Sequence, residues 1–535
     1  MSGVIFLKKY LSSKSSTVEI FLMLVFAFGL MFFATASSPR YGINPWVDAN
    51  AFFTVGKSMA NGVTIYKDLF EQKGPLLYVI HALAYKISGT SFAGVYVFEV
   101  AAMFVSMLFA YKTARLFVSK PLSLGAAVLF AATVVNTNCF YLGDSAEEFS
   151  LPFLMILIYF AVFYFKDSEN NKLKWYVFLL NGFFAGCVMM IKFTVLGFWF
   201  GWMAAVSIHT LFVRKKVGEA FKNAFIFLCG MAIPVVAFSA YFFLKGGLKE
   251  FFETYFFFNM TFYSDEKKTV FDTLKNCVLS FANAFFRTRG AFIVSGLGCL
   301  LALLVKPISE KNIVSKLAVP FIFGCGVLFT YIGGKIFPYY FLTFTAFSVF
   351  VFISAAILFE KLCKKDAAAI SAVVLSALVA AVVTGSINIA VLNAPKTKEE
   401  TVQHKISSLI NSRGDNSTVL CYSSLDAGVY LFDNIVPQYR YFEEQNIDYS
   451  IFPENVDEQN SYIDSHKAQY VVCRKYDKHK AGEETADDFL KIIYDGNETL
   501  KTDYELIFKE SDSTPDENHR GAHTALHYFV FELKK

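Results

Sequence analysis

Residues 18–36 form an apolar run broken only by Glu19, and residues 370–392 contain no charge at all. About 20 apolar residues cross the hydrocarbon core of a bilayer. There a helix can satisfy all of its own backbone N–H and C=O groups. Comparable runs recur near 18–38, 91–111, 121–140, 149–165, 175–191, 193–213, 222–244, 289–305, 317–333, 338–360 and 368–392. The expectation is a polytopic α-helical membrane protein of about eleven spans. The composition agrees: 55% of 535 residues are hydrophobic, more than a soluble interior of this size can hide.

The charges set an orientation. Positive residues favour the cytoplasmic side, most strongly in short loops. With the N-terminus inside, the inner loops carry Lys112, Arg115 and Lys120; Lys166, Lys172 and Lys174; Arg214, Lys215, Lys216 and Lys222; Lys306, Lys311 and Lys316; and Lys361, Lys364 and Lys365. The outer segments are 39–90, 141–148, 245–288 and 333–338, and an odd span count puts the tail outside. Lys8, Lys9 and Lys14 precede the first run, which ends in Ala34-Thr35-Ala36, a pattern like a signal-peptidase site. The run is long for a cleaved signal and many spans follow, so it reads as an uncleaved anchor.

Residues 1–392 are therefore expected to form the membrane domain. Residues 393–535 are polar and read as a small α/β domain on the outer face. Strands are predicted at 418–422, 469–473, 504–508 and 525–532, with a helix at 398–411. The nine cysteines include no C-x-x-C pair, so metal-ligand spacing is absent. Cys421 and Cys473 read as core thiols rather than a disulfide. A net charge of +4 gives no reason to expect nucleic acid as a partner. Asn259, Asn416 and Asn497 begin glycosylation sequons, which carry weight only in a eukaryotic chain.

Chemistry concentrates in the first two outer loops. The first carries Asp48 ahead of a predicted helix at 49–61, then Tyr66-Lys67-Asp68-Leu69-Phe70-Glu71-Gln72-Lys73-Gly74-Pro75-Leu76-Leu77-Tyr78. The second reads Gly143-Asp144-Ser145-Ala146-Glu147-Glu148. A carboxylate at the membrane surface can act as general base or bind a divalent metal, and a lysine beside it can neutralise a phosphate. Carboxylates and lysines in front of an apolar bilayer suit a sugar carried on a polyprenyl phosphate.

Each residue has a structural alternative. Asp48 can be a helix N-cap. Asp144 can cap the fourth span, with Glu147 completing a capping box. Glu71 and Lys73 can form a surface ion pair. Glu99, inside a span, reads as an interhelical hydrogen bonder. Lys192, at an outer turn, either snorkels or reaches a phosphate. His81 and His209 read as structural.

The two loops together resemble the bacterial GT-C glycosyltransferases, the protein-mannosyltransferase and aminoarabinose-transferase relatives. The likeness runs from Asp48 through Glu71-Gln72-Lys73-Gly74-Pro75 to Gly143-Asp144-Ser145-Ala146-Glu147-Glu148-Phe149-Ser150-Leu151-Pro152. It extends more loosely to Gly333-Gly334-Lys335-Ile336-Phe337-Pro338-Tyr339-Tyr340. There Tyr339 replaces a histidine that relatives often carry. The resemblance implies a polyprenyl-phosphate sugar donor and inversion at the anomeric carbon. It makes Asp48 the catalytic acid and gives Lys73 a phosphate role. It places Asp144 with Glu147 or Glu148 as the second-loop acids, and Glu71 joins them as an acidic-loop residue near any divalent metal. Lys192, Arg287 and Arg289 are further candidates for the donor phosphate. The acceptor would be an envelope glycan, lipid or protein. A transporter would instead place ionisable groups at midplane in repeated halves, and no repeat is present. A non-catalytic envelope-assembly protein would keep the fold and not need Asp48.

Overall fold

The computed structural model describes residues 16–168, 170–261, 269–305, 312–363, 366–393, 395–414, 417–432, 435–476, 485–515 and 523–535. Lys8, Lys9, Lys14, Lys306, Lys311, Lys364, Lys365 and Asn416, named above, lie outside the described residues.

The apolar runs are helices, and each of the eleven expected spans coincides with one. Eight are long and apolar enough to cross a bilayer: Thr17–Ala34, Ala93–Ala114, Ala146–Lys166, Phe193–Val213, Val217–Leu244, Ile313–Tyr331, Pro338–Leu362 and Ala367–Ile387. Two expected spans are shorter apolar helices, Lys120–Val135 and Trp175–Met189. The last, Arg289–Leu304, follows Val270–Arg287 across a bend of 117°. The helix Val270–Arg287 lies inside what the sequence suggested was a plain outer loop. Asp272 and Lys275 lower its hydropathy, yet Phe271, Leu274, Val278 and Phe286 are exposed, as residues facing lipid would be. The same holds for Phe21, Leu24, Val25 and Phe28 on Thr17–Ala34. A multi-pass membrane protein follows.

The polar C-terminal part contains a four-stranded sheet in the order β1-β2-β4-β3. Its strands are β1 (Val419–Cys421), β2 (Tyr470–Tyr476), β3 (Tyr504–Pro515) and β4 (His523–Leu533). β1 and β2 are parallel, with Val419 opposite Tyr470, and β4 runs antiparallel to both β2 and β3. Cys421 and Cys473 are buried thiols, as expected. The predicted helix at 398–411 is a 3-10 turn, Lys398–Glu400, followed by Val402–Asn411.

The segment after the helix Thr17–Ala34 joins the two parts. Ile43, Trp46, Phe52 and Val55 share one apolar core with Ile406, Val419, Tyr430, Phe442, Val472 and Val530. The tail therefore packs on the loop that carries Asp48, and burial of apolar surface holds it there.

Candidate active site

The helix Val47–Ala60 has Trp46 as its N-cap, and Asp48 lies within its first turn. Its carboxylate does not act as a side-chain cap, so that alternative is set aside. It accepts a hydrogen bond from the Tyr339 hydroxyl and feels the charges of Lys73 and Lys192. Asp48 is half-buried, whereas its neighbours Ala49 and Asn50 are buried. Removal from water raises its pKa above the ordinary 3.8, and Lys73, Lys192 and Tyr339 oppose the rise.

Lys73 is aimed by its own backbone. Its N–H donates to Glu71 Oε2 and to the Tyr78 hydroxyl, each at 3.0 Å, and its carbonyl accepts from Tyr66 at 2.7 Å. Gly74 then serves as N-cap and Pro75 as first residue of the helix Pro75–Ile87. Proline suits that place because its ring fixes a helical φ where no N–H is needed. The Lys73 ammonium lies 5.7 Å from the centroid of Phe52, four residues beyond Asp48 on the same helix face. Glu71 is buried and bonds the Lys73 backbone, so it does not lie at the surface as its alternative required. Burial raises its pKa, which Lys73 opposes and Asp48 reinforces.

Lys192 is held from two sides. Its ammonium donates to Glu147 Oε1, and it lies 3.5 Å from the centroid of the Tyr340 ring and 5.4 Å from that of Tyr339. It does not snorkel outward: it is 11% exposed and Glu147 is 2% exposed. Burial lowers its pKa, against the pull of Glu147. The 339–340 pair thus contributes a hydrogen bond and two ring faces. The role of these tyrosines was not legible in the sequence, because their partners lie some 150 and 290 residues away, well beyond any local pattern.

The second loop is built differently from the expectation. Ser145, not Asp144, caps Ala146–Lys166 by accepting from the Glu148 N–H at 3.0 Å. Glu148, rather than Glu147, reaches back, to the Asp144 N–H at 2.8 Å. Asp144 takes a left-handed φ of 67° after Gly143 at 85°, and a Cβ on Gly143 would stand 2.4 Å from Glu99 Oε1. This turn delivers the Asp144 carboxylate to His81 Nε2 at 2.8 Å, with both side chains fully buried. His81 Nδ1 faces the Leu77 carbonyl at 2.8 Å. Both ring nitrogens therefore face oxygen atoms, and the pair ties the second loop to the helix Pro75–Ile87. Burial raises the Asp144 pKa and His81 opposes it. Glu99 accepts from the Thr35 hydroxyl at 2.9 Å, the interhelical bond foreseen. His209 is likewise structural, bonded to the Tyr164 hydroxyl at 2.9 Å.

Asp48, Glu71, Lys73, Glu147 and Lys192 therefore converge, while Asp144 and Glu148 form a second, buried shell. Arg287 and Arg289 are both exposed, flanking buried Thr288 at the 117° bend. Among the described residues no group of three His, Cys, Asp or Glu could hold a metal ion. The reason is visible in the pairing. Glu147 is taken by Lys192, Asp144 by His81, and Glu71 and Glu148 by backbone N–H groups.

Comparison with known proteins adds to this geometry. The family model of dolichyl-phosphate-mannose-protein mannosyltransferases matches residues 72–242, which begin beside Lys73 and include both Asp144 and Lys192. No curated protein matches the sequence. Among solved structures, the oligosaccharyltransferase of Archaeoglobus fulgidus, in complex with zinc and sulfate, superposes with a TM-score of 0.50 at 13% identity, over 84% of this chain and 67% of that one. ArnT from Cupriavidus metallidurans, bound to undecaprenyl phosphate, gives 0.48 at 12% identity, over 96% and 98%. Identity this low speaks to fold alone.

Proposed function

We propose that this chain, which has the GT-C glycosyltransferase fold, moves a hexosyl or pentosyl unit from a polyprenyl-phosphate donor to an envelope acceptor on the outer membrane face. One observation carries the reading. The Asp48 carboxylate accepts a hydrogen bond from Tyr339 and lies in the field of Lys73 and Lys192, at the point where the first membrane helix gives way to polar protein.

The chemistry follows from that placement. An acceptor hydroxyl or amine gives its proton to the Asp48 carboxylate as its lone pair attacks the anomeric carbon. The bond from that carbon to the phosphate oxygen breaks, and polyprenyl phosphate leaves with the electron pair. One displacement inverts the centre. The raised pKa of Asp48 brings it closer to neutrality, where a general base works best. Lys73 faces the charge that develops on the leaving phosphate, and a fixed cation there stabilises the transition state more than the ground state. Lys192, already neutralised by Glu147, serves more as the wall of the site. No step requires a metal held by these residues.

The outward orientation of the tail belongs to this reading too, supported by the basic loops at the opposite helix ends. The test is transfer by the purified protein from polyprenyl-phosphate sugars, together with mass spectrometry of the lipid that co-purifies. Asp48→Asn should lose about 10²- to 10⁴-fold in turnover while melting as the wild type does. Normal turnover in that variant would return Asp48 to a helix-end role and favour a non-catalytic protein.

A further inference from the structure

The helix Val47–Ala60 is gripped from behind. Asn50, Thr54 and Lys57 recur at helical spacing on one face, and all are buried. Each meets the C-terminal part. The Thr54 hydroxyl donates to Asp426 Oδ2 at 2.5 Å. The Lys57 ammonium donates to the Tyr430 carbonyl at 2.7 Å. Gly428, at φ 83°, passes so close to Asn50 that a Cβ would stand 3.0 Å from its Oδ1. Asp48, Phe52 and Val55 occupy the opposite face, toward Lys73 and His81.

Asp426 is itself fully buried and braced. Its other oxygen accepts the Gly428 N–H at 2.7 Å, and its own N–H donates to Glu443 Oε2 at 2.6 Å. Glu443 accepts in turn from Gln445 at 2.9 Å and lies in the field of Glu71. A second strut reaches the lysine segment directly, where the Phe70 N–H donates to the Arg440 carbonyl at 2.7 Å. The tail thus backs both segments that converge on the site, the Asp48 helix and the strip ending at Lys73.

We propose that the C-terminal segment is a positioning part of the active site, and that the Thr54–Asp426 hydrogen bond fixes the axial register of the helix that presents Asp48. The inference rests on the transferase reading above. Asp48 is about 9 Å along the axis from Thr54, at 1.5 Å per residue, so a rigid helix carries a displacement at one to the other. A misplacement near 1 Å can cost on the order of 100-fold in a reaction that depends on orientation. Thr54 and Asp426 touch no reacting atom, so their effect falls on turnover and not on donor affinity, which Lys73 governs.

The experiment uses the full chain, with a polyprenyl-phosphate sugar as donor. Thr54→Val keeps the shape and removes the donated proton, and Thr54→Ser keeps the hydroxyl. The expected result is a fall in kcat of at least fivefold for Thr54→Val, with donor KM within twofold of wild type, and recovery in Thr54→Ser. Wild-type kcat in Thr54→Val would overturn the inference. So would equal losses in both variants, since lost methyl packing and not the hydrogen bond would then be responsible. A wild type that transfers no sugar defeats the enzymatic reading itself, whereas an active wild type beside an equally active Thr54→Val defeats only the clamp.

Discussion

Gly74 donates its backbone N–H to the carbonyl of Ile191 at 3.1 Å, and this bond brings Lys73 and Lys192 to the same side of the molecule. The Leu76 N–H adds a second tie, to the Met190 carbonyl at 2.8 Å. Two lysines 119 residues apart in sequence are thus placed by four backbone groups, before either side chain makes a contact. Bringing two cations together is unfavourable, and Glu147, Asp48 and the ring of Tyr340 offset it.

That junction has no room for a side chain on Gly74. A Cβ there would stand 2.2 Å from the Met190 carbonyl oxygen and 2.4 Å from its carbon, and neither is a flexible end that can swing aside. Gly74→Ala should lower stability by about 1–3 kcal/mol, the usual range for forced overpacking, and weaken donor binding as the loops part. A thermal melt and a donor titration read both effects. A variant unchanged in both would mean that the two loops are not mutually fixed.

Lys192 and Glu147 form a buried pair, and removing one partner strands the other. Lys192→Met should destabilise by about 3–5 kcal/mol, because Glu147 would remain an uncompensated buried charge. Adding Glu147→Gln should recover most of that loss. Melting curves of the single and double variants decide it, and additive losses would contradict the pairing.

The raised pKa of Asp48 fixes the sign of a pH effect. A general base must be ionised, so activity should fall as pH drops through the folded pKa. The acidic limb of kcat/KM should lie above the ordinary value of 3.8. Lys73 pulls that pKa down, so Lys73→Met should move the limb upward while raising donor KM. For stability the same shift acts in the opposite sense. The contribution of Asp48 is fully present below the unfolded pKa and is lost as pH rises through the folded one. Asp48→Asn should therefore melt no lower than wild type at pH 7.5. A limb at or below 3.8 would remove the case for burial at this carboxylate.

Orientation can be read with two cysteines. Lys501 is exposed in the tail, and Cys363 is exposed just after the helix Pro338–Leu362. In a background lacking the other cysteines, a membrane-impermeant maleimide applied to intact cells should label Lys501→Cys and spare Cys363 until lysis. The reverse pattern would invert the protein and place Asp48 on the cytoplasmic side.

The membrane character of this chain was legible without any structure. A run such as 370–392 leaves no alternative once every backbone group must be bonded and no charge is available to face water. The strands were legible too, because their β-rich composition is local: the expected 504–508 and 525–532 fall within β3 and β4. Asp48 and Lys73 stood out because loops at the ends of apolar helices are where polar chemistry meets the bilayer. The helix Val270–Arg287 was not legible, since Asp272, Lys275 and Arg287 lower its hydropathy below that of the other apolar runs. Nor were the cap of the fourth span, the His81–Asp144 pair, the tyrosines at 339 and 340, or the grip of Asp426 on Thr54. Each depends on groups distant in sequence meeting within hydrogen-bond distance, and that distance is set by how the helices pack. Periodicity and composition fix which face of an element is apolar and where it meets water. The identity of the partner across the gap is decided only when tertiary packing brings two such faces together.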